Sequence, residues 1–432
     1  MKYFCIILNV LIFSLLSYNK AHAILKVDIT QGNVRPVGIT YQVCNGDTKY
    51  SSNISNIIKS DLKRTGFYSV MTSNASQCIT DIRLNTENVD YLYTLDISHN
   101  KYGINLVVKL WDVYAKKLLI DKHLSSDEKS YRDLAHMASD VIYSRLTGDT
   151  GYFNTKIVYI TEKMNNKKVE KLVTISDQDG ENPIFITESD ISPLSPRISY
   201  DSQKVAFMAY KDDIANIYIL DLNDVLNGKP SKNDLLVTFQ EGVLSSPRFS
   251  PDNKFLLFAR SYGVSTDIYK INLETFEHQK LTSNTVAINT SPAYSPDMQQ
   301  IAFISDRDGT PNIYVMDANG KRQKRITKGP GSYFNTTWSP RGDWIAFTKV
   351  HKRKFYIGII KPDGSSERLL TNSPYVLDTP SWSTNGRLLL FSRKIKQRND
   401  RFINKIYTVD ITGHNEMEIK TPYGASDPSW SS

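Results

Sequence analysis

Histidines and carboxylates are the first candidates for chemistry in this sequence, because both can bind metal ions and transfer protons. After residue 23 the histidines are scattered, without the short regular spacing of zinc ligands, at His99, His123, His136, His278, His351 and His414. Two acidic runs, 177–180 and 306–309, begin like calcium-binding loops but lack the remaining oxygen ligands and the bidentate glutamate. We interpret both runs as turns between strands, and we expect neither a metal site nor a cofactor.

A serine nucleophile of the hydrolase type stands between two glycines, each two residues away from it. The nearest match is the run 424–428, which lacks the closing glycine and leads into a strand. The glycine-rich loops that bind phosphate in P-loop and dinucleotide-binding proteins are also missing from the sequence. Nothing nominates a catalytic residue, so the sequence favours a binding protein over an enzyme.

The N-terminus carries the pattern of a secretory signal peptide. A positive Lys2 precedes an apolar run over 4–16, and Ala21 and Ala23 form a small-residue cleavage site. This run is short for a membrane-spanning helix, and no later apolar run reaches the roughly 20 residues that one needs. We predict that residues 1–23 are a signal peptide and that the chain is exported.

Cys44 and Cys78 are the two cysteines that remain after this cleavage. An exported compartment permits a disulfide between them. Two buried thiols are the alternative, since free cysteine is among the most buried residue types and the sequence does not give the distance between the two Cα atoms.

Residues 24–150 show mixed helix and strand patterns without a repeat. Apolar residues at helical spacing, among them Ile54, Ile58 and Leu62, predict a helix over 54–64 that ends before Gly66. A second helix is predicted over 128–146, with Gly148 as its stop. Apolar and alternating patterns predict strands over 26–30, 37–43, 91–97, 104–113 and 117–124. The pattern indicates a small α/β domain, followed by a short linker near 148–155.

From about residue 156 onward the chain repeats itself. The same strand start recurs at intervals of 44 to 51 residues, at Pro196, Pro247, Pro292, Thr336, Pro380 and Pro428. A polar turn and short apolar strands follow the starts, separated by turn dipeptides such as Asp-Gly and Asn-Gly. A four-stranded unit of this length buries its faces only against further copies, which is typical of a β-propeller.

Strand counting predicts how the ring closes. Residues 156–187 supply three strands with no inner strand before them, and the chain ends on an isolated inner strand around Trp430. Six inner strands therefore match six outer sets, which predicts a six-bladed β-propeller over 156–432, closed by its C-terminal strand. The fold class is multidomain, with an α/β domain followed by an all-β propeller.

A large apolar residue stands two positions after each strand start, and we predict that it packs between blades. The six residues are Ile198, Phe249, Tyr294, Trp338, Trp382 and Trp430. A propeller that stacks such rings on a glycan is one alternative. A propeller hydrolase or lyase is another, because carboxylates that meet across a ring are not visible in the sequence.

The chain is basic, with a formal net charge of +8 over 432 residues. Its densest basic clusters lie at 321–328, 351–354 and 393–405. A solvated surface is the simplest interpretation of these clusters. Because no nucleic-acid-binding fold is recognisable, an acidic protein surface is a better candidate partner than a nucleic acid.

Several segments resemble the TolB family, the periplasmic propellers of the Tol–Pal system in Gram-negative bacteria. The most specific are Arg35-Pro-Val-Gly38, the helix end over 60–67, and the domain junction over 136–148 and 155–159. The repeated strand start is less specific, because several propeller families share it. The resemblance covers essentially the whole chain. It implies a non-enzymatic periplasmic adaptor that supports outer-membrane integrity and constriction at cell division.

The resemblance also implies partners, chiefly the peptidoglycan-associated lipoprotein Pal and the inner-membrane protein TolA. The N-terminal segment 24–30 would engage TolA, through Ile24, Leu25, Lys26, Val27, Asp28, Ile29 and Thr30. The segments before the strand starts would form a mouth that binds Pal. By motif alignment, and by symmetry for the later blades, the Pal-binding positions are Val243, Leu244, Ser245, Ser246, Thr290, Ser291, Phe334, Asn335, Asp378 and Thr379.

Strand direction predicts where the two sites lie relative to each other. Successive strands of a blade alternate in direction, and the linker enters the ring at a second strand. The α/β domain should therefore lie on the face of the propeller opposite the mouth. Occupancy of the mouth would govern whether the N-terminal segment is docked or free, as a shift between two populations.

Overall fold

A computed structural model of the chain describes residues 36–46, 48–73, 78, 89–165, 168–187, 191–227, 234–239, 241–283, 286–398 and 400–431. The predicted signal peptide 1–23 and the predicted TolA-binding segment 24–30 lie outside the described residues. None of the helices in these described ranges has the length and apolar character needed to cross a membrane.

The α/β domain is built from a five-stranded sheet and two helices. Its elements are β1 (Val37–Gly46), α1 (Thr48–Arg64), β2 (Tyr68–Thr72), β3 (Tyr91–Asn100), β4 (Gly103–Asp112), β5 (Lys117–Ser126) and α2 (Tyr131–Thr147). The strand order is β2-β1-β3-β4-β5, in which β1 is parallel to β2 and β3 and the other neighbours are antiparallel. The sequence predicted both helices and four of these strands, but it missed β2.

Burial explains why the helices form where they do. Ile54, Ile58 and Leu62 lie on the inner side of α1 and are fully buried in the domain core. The helix begins six residues before the predicted start at residue 54, because its first turns carry polar residues that give no apolar signal. Helix α2 ends at Gly148, whose left-handed backbone (φ 75°) lets its N–H bond the Ser144 carbonyl.

Cys44 and Cys78 are joined in a disulfide, with 5.0 Å between their Cα atoms. The bridge ties β1 to a segment that precedes β3. Of the two alternatives that the sequence left open, the structure contains the bridge.

The propeller has six four-stranded antiparallel blades, as predicted. Blade 1 is β9 (Ser192–Ile198), β10 (Lys204–Lys211), β11 (Ile214–Asp221) and β12 (Asp234–Val237), with a short helix α3 (Leu222–Leu226) between the last two strands. Blade 2 is β13 (Val243–Phe249), β14 (Phe255–Tyr262), β15 (Ser265–Asn272) and β16 (His278–Lys280). Blade 3 is β17 (Asn289–Tyr294), β18 (Gln300–Ser305), β19 (Asn312–Asp317) and β20 (Lys324–Arg325).

The remaining blades repeat this order from the centre outward. Blade 4 is β21 (Ser332–Trp338), β22 (Ile345–His351), β23 (Lys354–Ile360) and β24 (Arg368–Ser373). Blade 5 is β25 (Leu377–Trp382), β26 (Leu388–Lys396), β27 (Phe402–Asp410) and β28 (Met417–Ile419). Blade 6 combines the C-terminal β29 (Gly424–Trp430) with β6 (Lys156–Asn165), β7 (Lys168–Asp177) and β8 (Ile184–Phe185). The predicted closure by the last strand is confirmed.

The large residue two positions after each strand start packs between blades, as predicted. Trp382 shares an apolar cluster with Ala346 and Ile357 of the preceding blade, and Trp338 shares one with Ala302 and Ile313. All six equivalent residues have at most 7% of their surface exposed. Because the rings are buried in this way, they offer no surface on which a glycan could stack.

The α/β domain sits on one face of the propeller, which we call the domain face. This face carries the turns between first and second strands and those between third and fourth strands. Asp149 in the linker pairs with Arg341 (3.0 Å) and Arg387 (3.4 Å), which lie in such turns of blades 4 and 5. The Asn385 amide donates to the Thr150 carbonyl at 2.9 Å. The opposite face, which we call the mouth face, is the one predicted to lie away from the domain.

Candidate partner-binding face and central channel

The predicted Pal-binding residues line the mouth face where the inner strands begin. Val243 and Phe334 are exposed, at 42% and 36% of their surface. Ser245, Ser246, Thr290, Asn335 and Asp378 are partly exposed, whereas Leu244, Ser291 and Thr379 are buried. The structure thus brings all ten positions to the start of four neighbouring inner strands, but only seven of them present side-chain surface.

A ring of six residues with left-handed backbone surrounds the channel near this face, and we call it the collar. Its members stand immediately before the strand starts, have φ between 49° and 54°, and are Ser195, Ser246, Ser291, Asn335, Thr379 and Asp427. The pairing of each inner strand with its neighbour shifts register at or beside this position, so each collar residue belongs to a β-bulge. Left-handed backbone in a non-glycine residue is strained and tends to occur at functional sites.

Side chains of the collar and its neighbours are bonded from blade to blade. The hydroxyl groups of Ser246 and Thr290 lie 3.3 Å apart, and Ser291 donates to Asn335 at 3.3 Å. The Asn335 amide in turn donates to the Asp378 carboxylate. These bonds join blades 2 to 5 through polar side chains at the mouth, so the four blades hold these side chains as one connected unit.

Two carboxylates, Asp378 and Asp427, approach the channel at the collar. Burial and then repulsion from Asp427 raise the pKa of the Asp378 carboxyl to about 6, although the Thr379 N–H donates to it at 2.9 Å. The two carboxylates are thus near enough to repel each other, which the sequence could not reveal. Among the described residues no histidine or serine nucleophile completes an acid–base pair with them, and their hydrogen bonds go to Asn335, Thr379 and Ser195.

Beyond the collar the channel holds a cavity of about 80 Å³, lined by the residues that follow each strand start. Pockets for drug-sized ligands usually measure about 300–1,000 Å³. This cavity therefore has no room for a sugar or a peptide.

Exposed apolar side chains are concentrated on the mouth face. The exposed apolar residues at the start of inner strands or in turns between second and third strands include Tyr262, Val264, Val286, Ile288, Tyr375, Val376 and Phe402. Tyr375 and Phe402 stack edge-on, with ring centroids 5.4 Å apart. Apolar surface grouped in this way, with a polar rim, marks a site where another protein binds.

Basic side chains border the same face, though fewer than predicted. Lys352 and Arg353 are exposed in the turn between β22 and β23, and Lys394 is exposed near the end of β26. Arg393, however, binds Glu416 through two nitrogens at 2.6 and 2.7 Å. Lys405 likewise pairs with Glu418 at 2.7 Å. Part of the predicted basic cluster 393–405 is thus neutralised on the outer edge of its blade.

On the domain face, buried polar groups fasten the two domains together. The Asp61 carboxylate in α1 accepts from His136 (2.7 Å) and Ser139 (2.8 Å) in α2 and from Gln178 of the propeller (3.3 Å). Asn415 of blade 5 donates to the Arg64 carbonyl at 2.6 Å. The interface therefore links helix α1, helix α2 and the outer turns of two blades.

His136, Asp177 and Asp179 bring potential metal-ligand atoms within 4.8 Å of one another in the described residues. The Arg132 guanidinium already occupies this place, with 2.7 Å to each of the two carboxylates. The run 177–180 is a turn, as predicted, with the Gly180 N–H bonded to the Asp177 carbonyl. We assign the group to the ion-pair network between the domains.

Sequence reasoning missed the apolar loops of the mouth face, the Asp61 network and two channel arginines, Arg197 and Arg248. The loop residues carry no motif, and Asp61 is 75 residues from His136 along the chain. A signal for the arginines was present, because both follow a strand-start proline where the other repeats have small residues.

Comparisons with known proteins agree with this architecture. A family described as the TolB beta propeller domain matches residues 143–432, and one described as the TolB amino-terminal domain matches residues 25–119. A Tol-Pal system protein TolB from Gluconobacter oxydans (strain 621H) is 34% identical over 94% of this chain and 88% of its own length. One from Wolbachia pipientis wMel is 35% identical over 95% of both chains. The crystal structure of TolB from Acinetobacter baumannii superposes with a TM-score of 0.78 at 25% identity, covering 92% of this chain and 97% of that one.

Proposed function

Because this chain belongs to the TolB family of Tol–Pal system proteins, we propose that it is a non-enzymatic periplasmic adaptor that binds Pal at the mouth face and TolA through residues 24–30. In this role it supports outer-membrane integrity and the constriction of the envelope at cell division. The observation that carries the Pal site is the group of exposed apolar side chains on the mouth face, such as Tyr262, Val264 and Val286, opposite the face that the α/β domain covers.

The chemistry of the mouth supports a protein partner over a small substrate. Its exposed apolar groups lie around the polar collar, and aromatic and apolar side chains that become buried in an interface supply much of the binding energy. The cavity of about 80 Å³ behind the collar is too small for a glycan or peptide substrate. A propeller hydrolase, lyase or glycan-binding protein is therefore the weaker alternative.

Substitution of Thr290 by arginine tests the mouth assignment. The Thr290 hydroxyl lies beside the collar, 3.3 Å from that of Ser246. A long cationic side chain there would break this bond between blades and block the channel entrance. We expect at least about a hundredfold loss of affinity for the soluble domain of Pal from the same organism, as for the loss of one interface hot spot. Isothermal titration calorimetry of the chain from residue 24 onward measures this affinity.

The matched control is Thr275→Arg, which adds the same exposed cation to a turn on the domain face. It should bind Pal as the unchanged protein does. Equal binding by the Thr290→Arg variant would discard the residue assignment and keep the adaptor role. No binding of Pal by the unchanged protein would reject the adaptor role and lead to tests for hydrolase and glycan-binding activity.

The exposed basic turn of blade 4 should steer an acidic surface of Pal towards the mouth. We expect the charge reversals Lys352→Glu and Arg353→Glu together to slow association about three- to tenfold at low salt, with a smaller effect in 0.5 M NaCl, because salt screens exposed charges. Stopped-flow or surface plasmon resonance measures the rate. Lys321→Glu, an exposed cation on the domain face, is the control. An association rate that is independent of salt would contradict the steering.

A further inference from the structure

Two arginines occupy neighbouring positions inside the channel, deeper than the collar. Arg197 in β9 and Arg248 in β13 each follow a strand-start proline and line the cavity of about 80 Å³. The equivalent residues of the other four blades are small and uncharged, namely Ala293, Thr337, Ser381 and Ser429. Among the described residues that line this cavity, Arg197 and Arg248 are the two cations, and they come from neighbouring blades.

Both guanidinium groups have N–H donors that no acceptor among the described residues binds. Arg197 is 5% exposed, and one of its terminal nitrogens donates to the Pro196 carbonyl at 2.6 Å. Its Nε–H is buried without a hydrogen-bond partner. Arg248 is partly exposed, and its side chain makes no hydrogen bond or ion pair within the described part of the chain.

Arg248 is partly exposed beside the buried Arg197. Two unpaired like charges held together in a partly dehydrated channel are unfavourable unless an anion accompanies them. Burial, with repulsion from Arg197, holds the pKa of Arg248 well below its usual range. Asp427, which accepts from the Ser195 N–H at 3.4 Å, and Asp378 attract Arg197 electrostatically, but neither forms an ion pair with it. The acids are thus hydrogen-bonded at the collar, and both arginine side chains line the cavity without an acidic partner.

From this geometry we propose that the channel is a binding site for one small tetrahedral oxyanion, of the phosphate or sulfate type, held between Arg197 and Arg248. The planar guanidinium donates two parallel N–H groups to two oxygens of such an ion, which makes arginine the preferred residue for phosphate recognition. The cavity of about 80 Å³ has room for an ion of this size.

Phosphate is the probe for the test. The chain from residue 24 onward, freed of phosphate and sulfate, is titrated calorimetrically with sodium phosphate at pH 7.5 in a chloride buffer of constant ionic strength. We expect saturable binding of one ion per chain, competition by sulfate, and a rise in Tm with phosphate concentration, because an ion that binds only the folded state stabilises it. An equal rise in Tm with added chloride would show that ionic strength alone causes the stabilisation, and it would overturn the proposed phosphate site.

Arg248→Gln is the decisive variant, because Arg248 makes no bond that holds the fold. We expect at least a tenfold loss of phosphate affinity, with a Tm in phosphate-free buffer equal to or above that of the unchanged protein, since the repulsion with Arg197 is removed. Lys352→Gln, which removes an exposed cation of the mouth face, should leave phosphate affinity unchanged. Unaltered phosphate affinity in Arg248→Gln, or an equal loss in Lys352→Gln, would overturn the proposal.

Discussion

A chain that ends after Tyr423 is expected to lose the cooperatively folded propeller. The deletion removes β29, the inner strand of blade 6, whose pairing with β6 runs from Gly424 opposite Glu162 to Trp430 opposite Ile157. It also removes Trp430, which is 4% exposed and donates its indole N–H to Thr155 at 2.8 Å.

The magnitude follows from what this strand contributes. Loss of a buried tryptophan alone costs about 3–5 kcal/mol, and each lost strand hydrogen bond adds about 1 kcal/mol. The sum is comparable with the 5–15 kcal/mol of net stability that is typical of a folded domain. Blades 5 and 1 would lose their contacts with β29 as well. Scanning calorimetry and near-ultraviolet circular dichroism should therefore show no cooperative transition of the propeller.

Trp430→Ala distinguishes the contribution of the Trp430 side chain from that of the strand pairing. This variant keeps the backbone pairing, so we expect it to fold with a lower Tm rather than to lose the transition. A truncated chain that melts at the Tm of the full chain would show that β29 does not close the ring. Removal of residue 432 alone, which lies beyond β29, should leave the Tm of the propeller unchanged.

Asp61→Ala is expected to uncouple the two domains and to lower the stability of the α/β domain strongly. The Asp61 carboxylate is 1% exposed and binds His136 at 2.7 Å, Ser139 at 2.8 Å and Arg64 at 3.0 Å. Removing one partner of a buried charged pair costs about 3–5 kcal/mol, because the groups left behind are neither paired nor hydrated. We expect a fall in Tm of at least about 10 °C for a domain of this size.

Two measurements distinguish this outcome from a general loss of stability. The calorimetric transition should split into separate domain and propeller transitions, and protease should cleave the linker 148–155 faster. Asp61→Asn keeps the side-chain shape and one acceptor oxygen, so its Tm should fall less than that of Asp61→Ala. Asp121→Ala removes an exposed carboxylate that pairs with Lys109 at 3.6 Å, and it should change the Tm by at most a few degrees. One unsplit transition at the original Tm would contradict the role of Asp61.

The ring closure that the first experiment tests was predictable from the sequence. A repeat of 44 to 51 residues and a count of strands decide the number of blades, because each blade must cover the apolar faces of its neighbours. The residue types also predicted two local features correctly, namely the large residues that pack between blades and the turn at Asp306 to Gly309. Strand β2 was missed because five residues with mostly exposed side chains carry little apolar periodicity.

The collar shows where local rules fail. A residue before proline favours extended backbone, so local preference predicts a β conformation for Ser246 before Pro247 and for Asp427 before Pro428. Both adopt left-handed backbone instead, at 54° and 51°. The bulge at this position is set by the pairing of the inner strand with the rest of its blade, and that pairing outweighs the preference of one residue.

Sequence patterns were sufficient to predict the domain order, the six blades, the large residues between them and the face on which the inner strands begin. These features follow from periodicity and strand direction, which depend on residues close together in the chain. The three-dimensional fold was needed to show which distant groups interact, such as Asp61 with His136, Arg197 with Arg248, and Asp378 with Asp427. Such pairs are 49 to 75 residues apart in sequence, and side-chain chemistry at these separations depends on the three-dimensional path of the chain rather than on local pattern.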